Sequence, residues 1–262
     1  MNNSELNFIF NRRSIRKFTS QPIPQDVITE LMRAVISAPS AGNLQNYSVI
    51  LITSPDKKSS LYELCGKQQW ILEASLLLLF CVDTNRLFRW VEVMGGSFHF
   101  NGASVFLTAF ADTVIAAHTA VLAGELLGLG SVYIGRILNE PVSIVKLFKL
   151  PKFVFPAVLL CMGYPAEIPY KTSRLPMGSI IHEEEYKDYT VQEVKNIFRD
   201  KEEGFLNWCK NDPVFCEKLS KMGITTSSRF TTLYHYPKDF IQRVDKNVKE
   251  ALMYQGFLRN SD

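Results

Sequence analysis

Asp112 to Arg136, DTVIAAHTAVLAGELLGLGSVYIGR, is the stretch from which the rest of the chain is read. In its first half Val114, Ile115, Ala117, Val121, Leu122 and Leu126 recur at three- and four-residue spacings, the period of a helix with a broad buried face. The alanines favour that helix and let neighbouring elements approach closely. Gly128 and Gly130 are expected to end it, because glycine takes the left-handed conformation of a helix C-cap without steric cost. The β-branched and aromatic run Ser131 to Ile134 reads as a strand. Gly135 closes the strand where backbone can come very near a ligand. A helix feeding a strand that ends in glycine can support a planar cofactor; taken alone, it reads first as a plain core helix.

Around this stretch lie 262 residues, 47% hydrophobic and 21% charged, with a net charge of +3. That is globular composition, sufficient for one large core. The basic residues are dispersed, so no nucleic-acid partner is expected. No charged start followed by an apolar segment suggests secretion. Val105 to Leu127 is the longest apolar candidate, and Asp112, His118 and Glu125 inside it point to a core helix rather than a membrane span. Cys65, Cys81, Cys161, Cys209 and Cys216 show no CxxC spacing and are expected as reduced, buried thiols of a cytoplasmic protein. His99, His118, His182 and His235 have no paired-ligand spacing, so no metal is expected. Asp112 and His118, six residues apart, make a poor acid–base pair. Asp112 reads as hydrogen-bonded structure and His118 as a satisfied core histidine.

Along the chain, helices are expected over Ser4–Asn11, Gln25–Ile36, Pro55–Leu64, Pro141–Leu147, Val191–Phe205 and Pro237–Tyr254, the last ended by Gly256. Strands are expected over Ser48–Thr53, Leu76–Val82 and Ala157–Met162, besides Ser131–Ile134. Asp83 to Ser104 reads as a loop over a site. Strands alternating with helices make a layered α/β or α+β domain.

Two basic clusters could carry chemistry: Arg12, Arg13 and Arg16 around Ser14, and Lys171 with Arg174. Guanidinium forks match phosphate oxygens, and a serine hydroxyl adds a donor. The plain alternative is a solvated basic loop. Ser40, Asn43 and Gln45 sit in a loop rich in turn formers, whose alternative reading is a self-capped turn. No GxxxxGK[ST] or GxGxxG motif is present.

The order of the pieces says more than any one of them. RRSIRKF at 12–18, APSAGNLQ at 38–45, GKQQW at 66–70, LAGELLGLGSVYIG at 122–135, LPKFVFPAVLLCMGYPAE at 150–167 and KTSRLP at 171–176 follow in register. With them the chain resembles the FMN-dependent nitroreductase family, in its NADPH-preferring nitroreductase and flavin reductase branch. The resemblance spans about residues 5 to 190 and resumes over Pro237 to Phe257.

The resemblance implies an α+β, three-layer fold with a central mixed sheet flanked by helices, in a homodimer carrying two FMN sites at the subunit interface. It further implies an FMN-binding core over residues 1–190 and a C-terminal helical extension over 191–262 packing on the partner. Carried over residue by residue, Arg12, Arg13, Ser14 and Arg16 match the first FMN-binding segment, and Ser40, Asn43 and Gln45 a loop near the flavin. Gln68 matches a glutamine at the ring's polar edge, and Tyr133, Ile134 and Gly135 the segment whose backbone N–H faces flavin N5. Lys171 and Arg174 match a late basic pair at the phosphate, and Arg229 is the candidate for the NADPH 2′-phosphate. The activity implied is NAD(P)H oxidation with ping-pong reduction of nitroaromatics, quinones or free flavin, the cofactor carrying the redox chemistry. Alternatives are a flavin reductase supplying another enzyme, a reductive dehalogenase of related fold, and a flavin-binding protein without turnover. The chain departs from the family pattern in two places. Arg136 stands where a second glycine often follows the match to Gly135, and Lys171 and Arg174 are spaced one residue wider than expected.

Overall fold

Leu76 to Asp83, the most apolar run of the chain, forms strand β2, and every residue in it is buried. In the computed structural model, which describes residues 6–99 and 101–258, β2 lies in a four-stranded sheet of order β1-β2-β4-β3. The other strands are β1 (Tyr47–Ile52), β3 (Gly130–Ile134) and β4 (Val154–Gly163). Side chains alternate across a strand, so Leu76, Leu78 and Phe80 face one core, and Leu77, Leu79 and Cys81 face another. A sheet with two buried faces needs a helical layer on each.

The first layer is α2 (Gln25–Ile36) with α6 (Ala103–Leu126), which bring Leu31, Val35, Ala116, Ala117, Ala120 and Val121 onto Leu78 and Phe80. The opposite layer is α3 (Pro55–Leu64), α4 (Trp70–Glu73) and α7 (Pro141–Leu147), bringing Leu61, Ile71 and Ile144 onto Leu77 and Leu79. A short α1 (Asn7–Asn11) precedes them; Ser4 and Glu5 of the expected opening helix lie outside the described residues. The three-layer α+β architecture is the expected one. Pairing between these strands is antiparallel throughout, however, rather than mixed. Parallel pairing enters as an isolated bridge between Ser14 and Ser131.

Helix α6 corrects the reading of its own periodicity. Its sheet-facing side is made of Ala109, Thr113, Ala116, Ala117, Ala120, Val121 and Gly124, whereas Val114, Ile115 and Leu126 are exposed. A helix that is apolar all round carries the 3.6-residue period on every face, so the period cannot name the face that meets the sheet. Small residues win that place because they let the backbones approach: a Cβ at Gly124 would overlap Met162 Cε. His118 is exposed on α6 and is not a core histidine. Gly128 ends the helix at φ +77°, as expected. Gly130 is already inside β3 and is glycine for a different reason: a Cβ there would lie 2.5 Å from Ile15 Cγ1. By length and composition α6 could cross a membrane, yet its small-residue side packs on the sheet.

Three further differences concern elements. The span 83–104 is not all loop, because α5 occupies Asn85–Val93. The expected helix Val191–Phe205 breaks at Phe198 into α8 (Val191–Ile197) and α9 (Arg199–Asn211), followed by α10 (Pro213–Lys221) and α11 (Ser227–Arg229). Cys209 and Cys216 are joined by a disulfide between α9 and α10, so only Cys65, Cys81 and Cys161 are the buried thiols expected.

The chain divides into two compact units, one running to Tyr170 and resuming at Val244, the other Lys171–Arg243. This differs from the expected boundary at 190. The last helix, α12 (Lys238–Gln255), begins in the second unit and continues in the first. Its final turns bury Ala251 and Phe257 with Val82 and Phe155 of its own chain. Gln255, 1% exposed, donates from Nε2 to the Pro151 and Val154 carbonyls, which ties the end of that helix to β4.

Candidate functional site

The segment Arg12–Phe18 is laid along the β3 side of the sheet by backbone hydrogen bonds. Ile15 N–H donates to the Ser131 carbonyl at 3.0 Å, and Thr19 N–H to the Tyr164 carbonyl at 2.9 Å. Ile15 and Phe18 are buried beneath it. This seats Ser14 beside Ser131, two residues before Tyr133, and brings the first expected cofactor segment against the third.

The arginines then take different roles. Arg13 donates from Nη1 to the Pro169 carbonyl at 3.0 Å, while its buried Nε has no partner among the described residues. Arg12 acts electrostatically on Tyr133 and Glu125. Burial pushes the Tyr133 phenol up to about 12 despite the nearby guanidinium, so the phenol stays a neutral donor. Burial likewise raises Glu125, with Arg12 opposing. The Arg16 guanidinium carbon lies 5.6 Å from the centre of the Trp70 ring, a cation–π distance. Glu167 accepts from Arg16 N–H at 3.3 Å and faces Lys17 Nζ at 3.9 Å.

Trp70 closes the second segment, GKQQW. Gln68 donates from Nε2 to the Cys65 carbonyl at 2.9 Å, which leaves Oε1 as an acceptor. Trp70 Nε1 is a second buried donor with no partner among the described residues. Sequence reasoning did not single out Trp70 as a site residue. Its pairing with Arg16 joins positions far apart in the chain, and no local pattern announces that. At the end of β3, Ile134 is buried and Gly135 is exposed, and a Cβ on Gly135 would meet nothing within 4 Å. The backbone there borders open space.

Segments 12–16, 66–70 and 133–136 therefore converge on one edge of the sheet. Two orphaned buried donors, Arg13 Nε and Trp70 Nε1, together with the arginines suit an anionic, acceptor-rich ligand with a flat body, and FMN has that chemistry.

The loop of Ser40, Asn43 and Gln45 is not at that edge. It leads into β1, at the opposite side of the sheet, three strand spacings or about 14 Å from β3. Much of its polar capacity is used internally. Ser40 Oγ accepts from Gln45 N–H at 3.1 Å, and Gln45 Nε2 donates to Asn43 Oδ1. Asp112, the hydrogen-bonded aspartate expected, accepts from Ala41 N–H at 2.9 Å. Arg86 reaches up from α5 to the Gln45 and Tyr47 carbonyls. Gly42, Asn43 and Gln45 all have positive φ, between +45° and +57°. Three left-handed residues in four, two of them not glycine, mark a strained loop held by its surroundings.

Within the second unit, Arg174 donates to the Thr172 carbonyl and Lys171 is exposed. Arg229 donates from Nη1 to the Gly223 carbonyl at 2.9 Å, so part of its guanidinium ties α11 to the end of α10. This unit also has a cavity of about 580 Å³ lined by His182, Tyr189 and Glu193 among others, and none of the expected site residues lines it.

The Nitroreductase family model matches residues 9–164, the span that contains all four strands and the convergent edge. The chain is 38% identical over 187 residues to the FMN reductase [NAD(P)H] of Bacillus subtilis (strain 168), covering 70% of this chain and 75% of that one. It is 35% identical over 182 residues to the oxygen-insensitive NADPH nitroreductase of Salmonella typhimurium, covering 70% and 74%. The solved structure of the NfrA1 nitroreductase from B. subtilis superposes with a TM-score of 0.80 at 26% identity, over 94% of this chain and 98% of that one. Matched over more than half its length in sequence and over nearly all of it in fold, the chain belongs to the nitroreductase family.

Proposed function

We propose that the protein is an FMN-dependent NAD(P)H oxidoreductase that reduces small acceptors such as nitroaromatics, quinones or free flavin. The observation that carries this reading is the convergence of residues 12–16, 66–70 and 133–135 beside the open backbone at Gly135. FMN, when bound, supplies the hydride-accepting and hydride-donating chemistry. The chain's residues bind and orient it. Arg12, Arg13 and Arg16 neutralise the phosphate, with Ser14 as a further donor, and the buried Arg13 Nε gains an acceptor. Gln68 Oε1 accepts from a ring N–H. Tyr133, Ile134 and Gly135 would form a backbone floor beneath the ring. No side chain is assigned as general acid or base, and the open space at Gly135 would leave room there for nicotinamide or acceptor.

The edge on β3 is only part of the residue set, and this supports a homodimer. Ser40, Asn43 and Gln45 lie at the other edge of their own sheet, so a second copy is the source from which they reach the flavin. The outer face of α6 offers the surface. Leu107, Val114, Ile115 and Leu126 stand exposed along it among Thr108 and His118, with Leu107 65% and Leu126 71% exposed, and exposed apolar side chains gathered on one helix face suit a partner. Lys171 and Arg174 enter the proposal from the family resemblance, and Arg229 as the basic residue of the late region chosen for the 2′-phosphate. The enzyme belongs in the cytoplasm, where NAD(P)H is supplied.

The test is an anaerobic absorbance spectrum of the purified protein before and after adding NADPH. Flavin absorbance that bleaches is expected. Flavin that persists would reduce the reading to a binding role, and no flavin after soaking with FMN would remove it. For the nicotinamide donor, Arg229→Ala is expected to raise KM for NADPH more than for NADH; equal effects on both would reject its role at the 2′-phosphate.

A further inference from the structure

Arg136, the residue that departs from the family pattern, does not extend into the open space at Gly135. Its side chain runs back over the turn that carries Gln68. A Cβ at Gly66 would lie 2.7 Å from Arg136 Cδ, 3.1 Å from one terminal nitrogen and 3.3 Å from Nε. Gly66 therefore has two reasons to be glycine, this approach and its φ of +76°. Lys67 follows in the same left-handed region at +56°, its N–H donating to the Tyr62 carbonyl at 2.8 Å. This is the C-terminal cap of α3: Gly66 takes the left-handed conformation freely, the Lys67 bond closes the last helical turn, and Lys67 alone carries backbone strain. Arg136 packs on this cap from outside, and it is well anchored at its other end. Ile137 beside it is 2% exposed, and the Arg136 carbonyl accepts from Asn139 N–H at 3.1 Å.

We propose that Arg136 is a positioning residue for the cofactor's polar edge: lying over Gly66, it fixes the 65–68 turn, and Gln68 with it, relative to the Gly135 end of β3. This rests on the FMN reading above. Gln68 Nε2 is committed to the Cys65 carbonyl, so the amide is held at its nitrogen, and the remaining acceptor has little freedom to correct its aim. Hydrogen bonds weaken steeply away from their preferred distance and angle, so a loosened turn loses the contact. The work is done by the aliphatic stem and flat guanidinium packing on a surface without a Cβ. A lysine keeps most of that packing, and an alanine keeps none of it.

The experiment is a thermodynamic cycle in the full-length chain. FMN is titrated into flavin-stripped wild type, Arg136→Ala, Arg136→Lys, Gln68→Ala and the Arg136→Ala/Gln68→Ala pair, and amide exchange is followed in flavin-free wild type and Arg136→Ala. Arg136→Ala is expected to weaken FMN binding about tenfold in the wild-type background and less than about twofold in the Gln68→Ala background, because its effect runs through Gln68. Arg136→Lys should recover most of the loss, and the Lys67 amide should exchange faster in flavin-free Arg136→Ala. Equal losses in both backgrounds would assign Arg136 a direct contact with FMN and overturn the proposal. So would unchanged affinity, or exchange at Lys67 that does not move. A wild-type chain that binds no FMN would instead fail at the first titration and remove the functional reading itself.

Discussion

The two edges of the sheet carry the two halves of the expected cofactor set, and they are built differently. At the β3 edge, residues distant in sequence are drawn together: Ser14 bonds alongside Ser131, Arg16 lies over Trp70, and Arg136 covers Gly66. Two buried donors there lack partners. At the β1 edge, the loop 40–45 makes internal hydrogen bonds and leans on Asp112 and Arg86, while Asp112 Oδ2 and Asn46 Oδ1 beside it are buried without partners among the described residues. The two edges differ in the kind of valence left open: donors at the β3 edge, acceptors at the β1 edge. In the proposed homodimer, two copies would bring these edges together across a two-fold axis.

On the proposed homodimer, the largest effect should come from separating the copies. Ile115→Asp places a charge on the exposed outer face of α6, where pairing would leave it desolvated and unpartnered. Dimer affinity should fall on the order of a hundredfold, with flavin lost in parallel. Sedimentation with absorbance detection checks both; flavin retained on a monomer would show that the β3 edge suffices alone.

Next is Gly130→Ala, which strikes the β3 edge from beneath. The new methyl would meet Ile15 Cγ1 at 2.5 Å and Ile15 Cβ at 2.9 Å, and a branched side chain close to its backbone cannot swing aside. Overpacking of this kind costs about 1–3 kcal/mol, and the Arg12–Arg16 segment should shift with Ile15. Chemical unfolding together with an FMN titration measures it. Lost stability with unchanged FMN affinity would separate the segment from the site.

Arg16→Ala should weaken FMN retention at least tenfold, about 1.4 kcal/mol, the scale of a charge-assisted phosphate contact. Equilibrium dialysis measures it, and unchanged affinity would take Arg16 out of the site. The smallest effect belongs to the β1 edge. Ser40→Ala removes the acceptor for Gln45 N–H and should cost about 0.5–1.5 kcal/mol of stability, read from a urea transition. Because Ser40 is proposed to reach the flavin of a second copy, flavin retention should fall as well; unchanged retention would leave Ser40 the loop-closing role alone.

Much of the first unit was legible because its elements are strongly patterned. Gln25–Ile36, Pro55–Leu64 and Pro141–Leu147 form the helices expected, with Pro at the first helical position of the last two. All four strands lie within a few residues of their expected places. The second unit was read poorly. Its helices are short and largely exposed, so periodicity had little buried surface to report, and the Cys209–Cys216 pairing has no spacing signature. Sequence named Arg16 and Gln68 through the order of motifs. It could not indicate Trp70 as a partner of Arg16.

Sequence by itself determined which residue types were available: the alternating core of β2, the alanine-rich helix, the glycines, the arginines and their order along the chain. These follow from local propensity and from periodicities that neighbouring residues set. Only the tertiary structure decided which face of α6 meets the sheet, since that helix is apolar on every side and the choice went to the small residues that allow close approach. It likewise decided that Gly130 serves Ile15 and Gly66 serves Arg136. Gly130 is required by a side chain that arrives from elsewhere in the chain, and Gly66, already called for at φ +76° by the end of α3, is required a second time by Arg136; such contacts exist only once the sheet has formed.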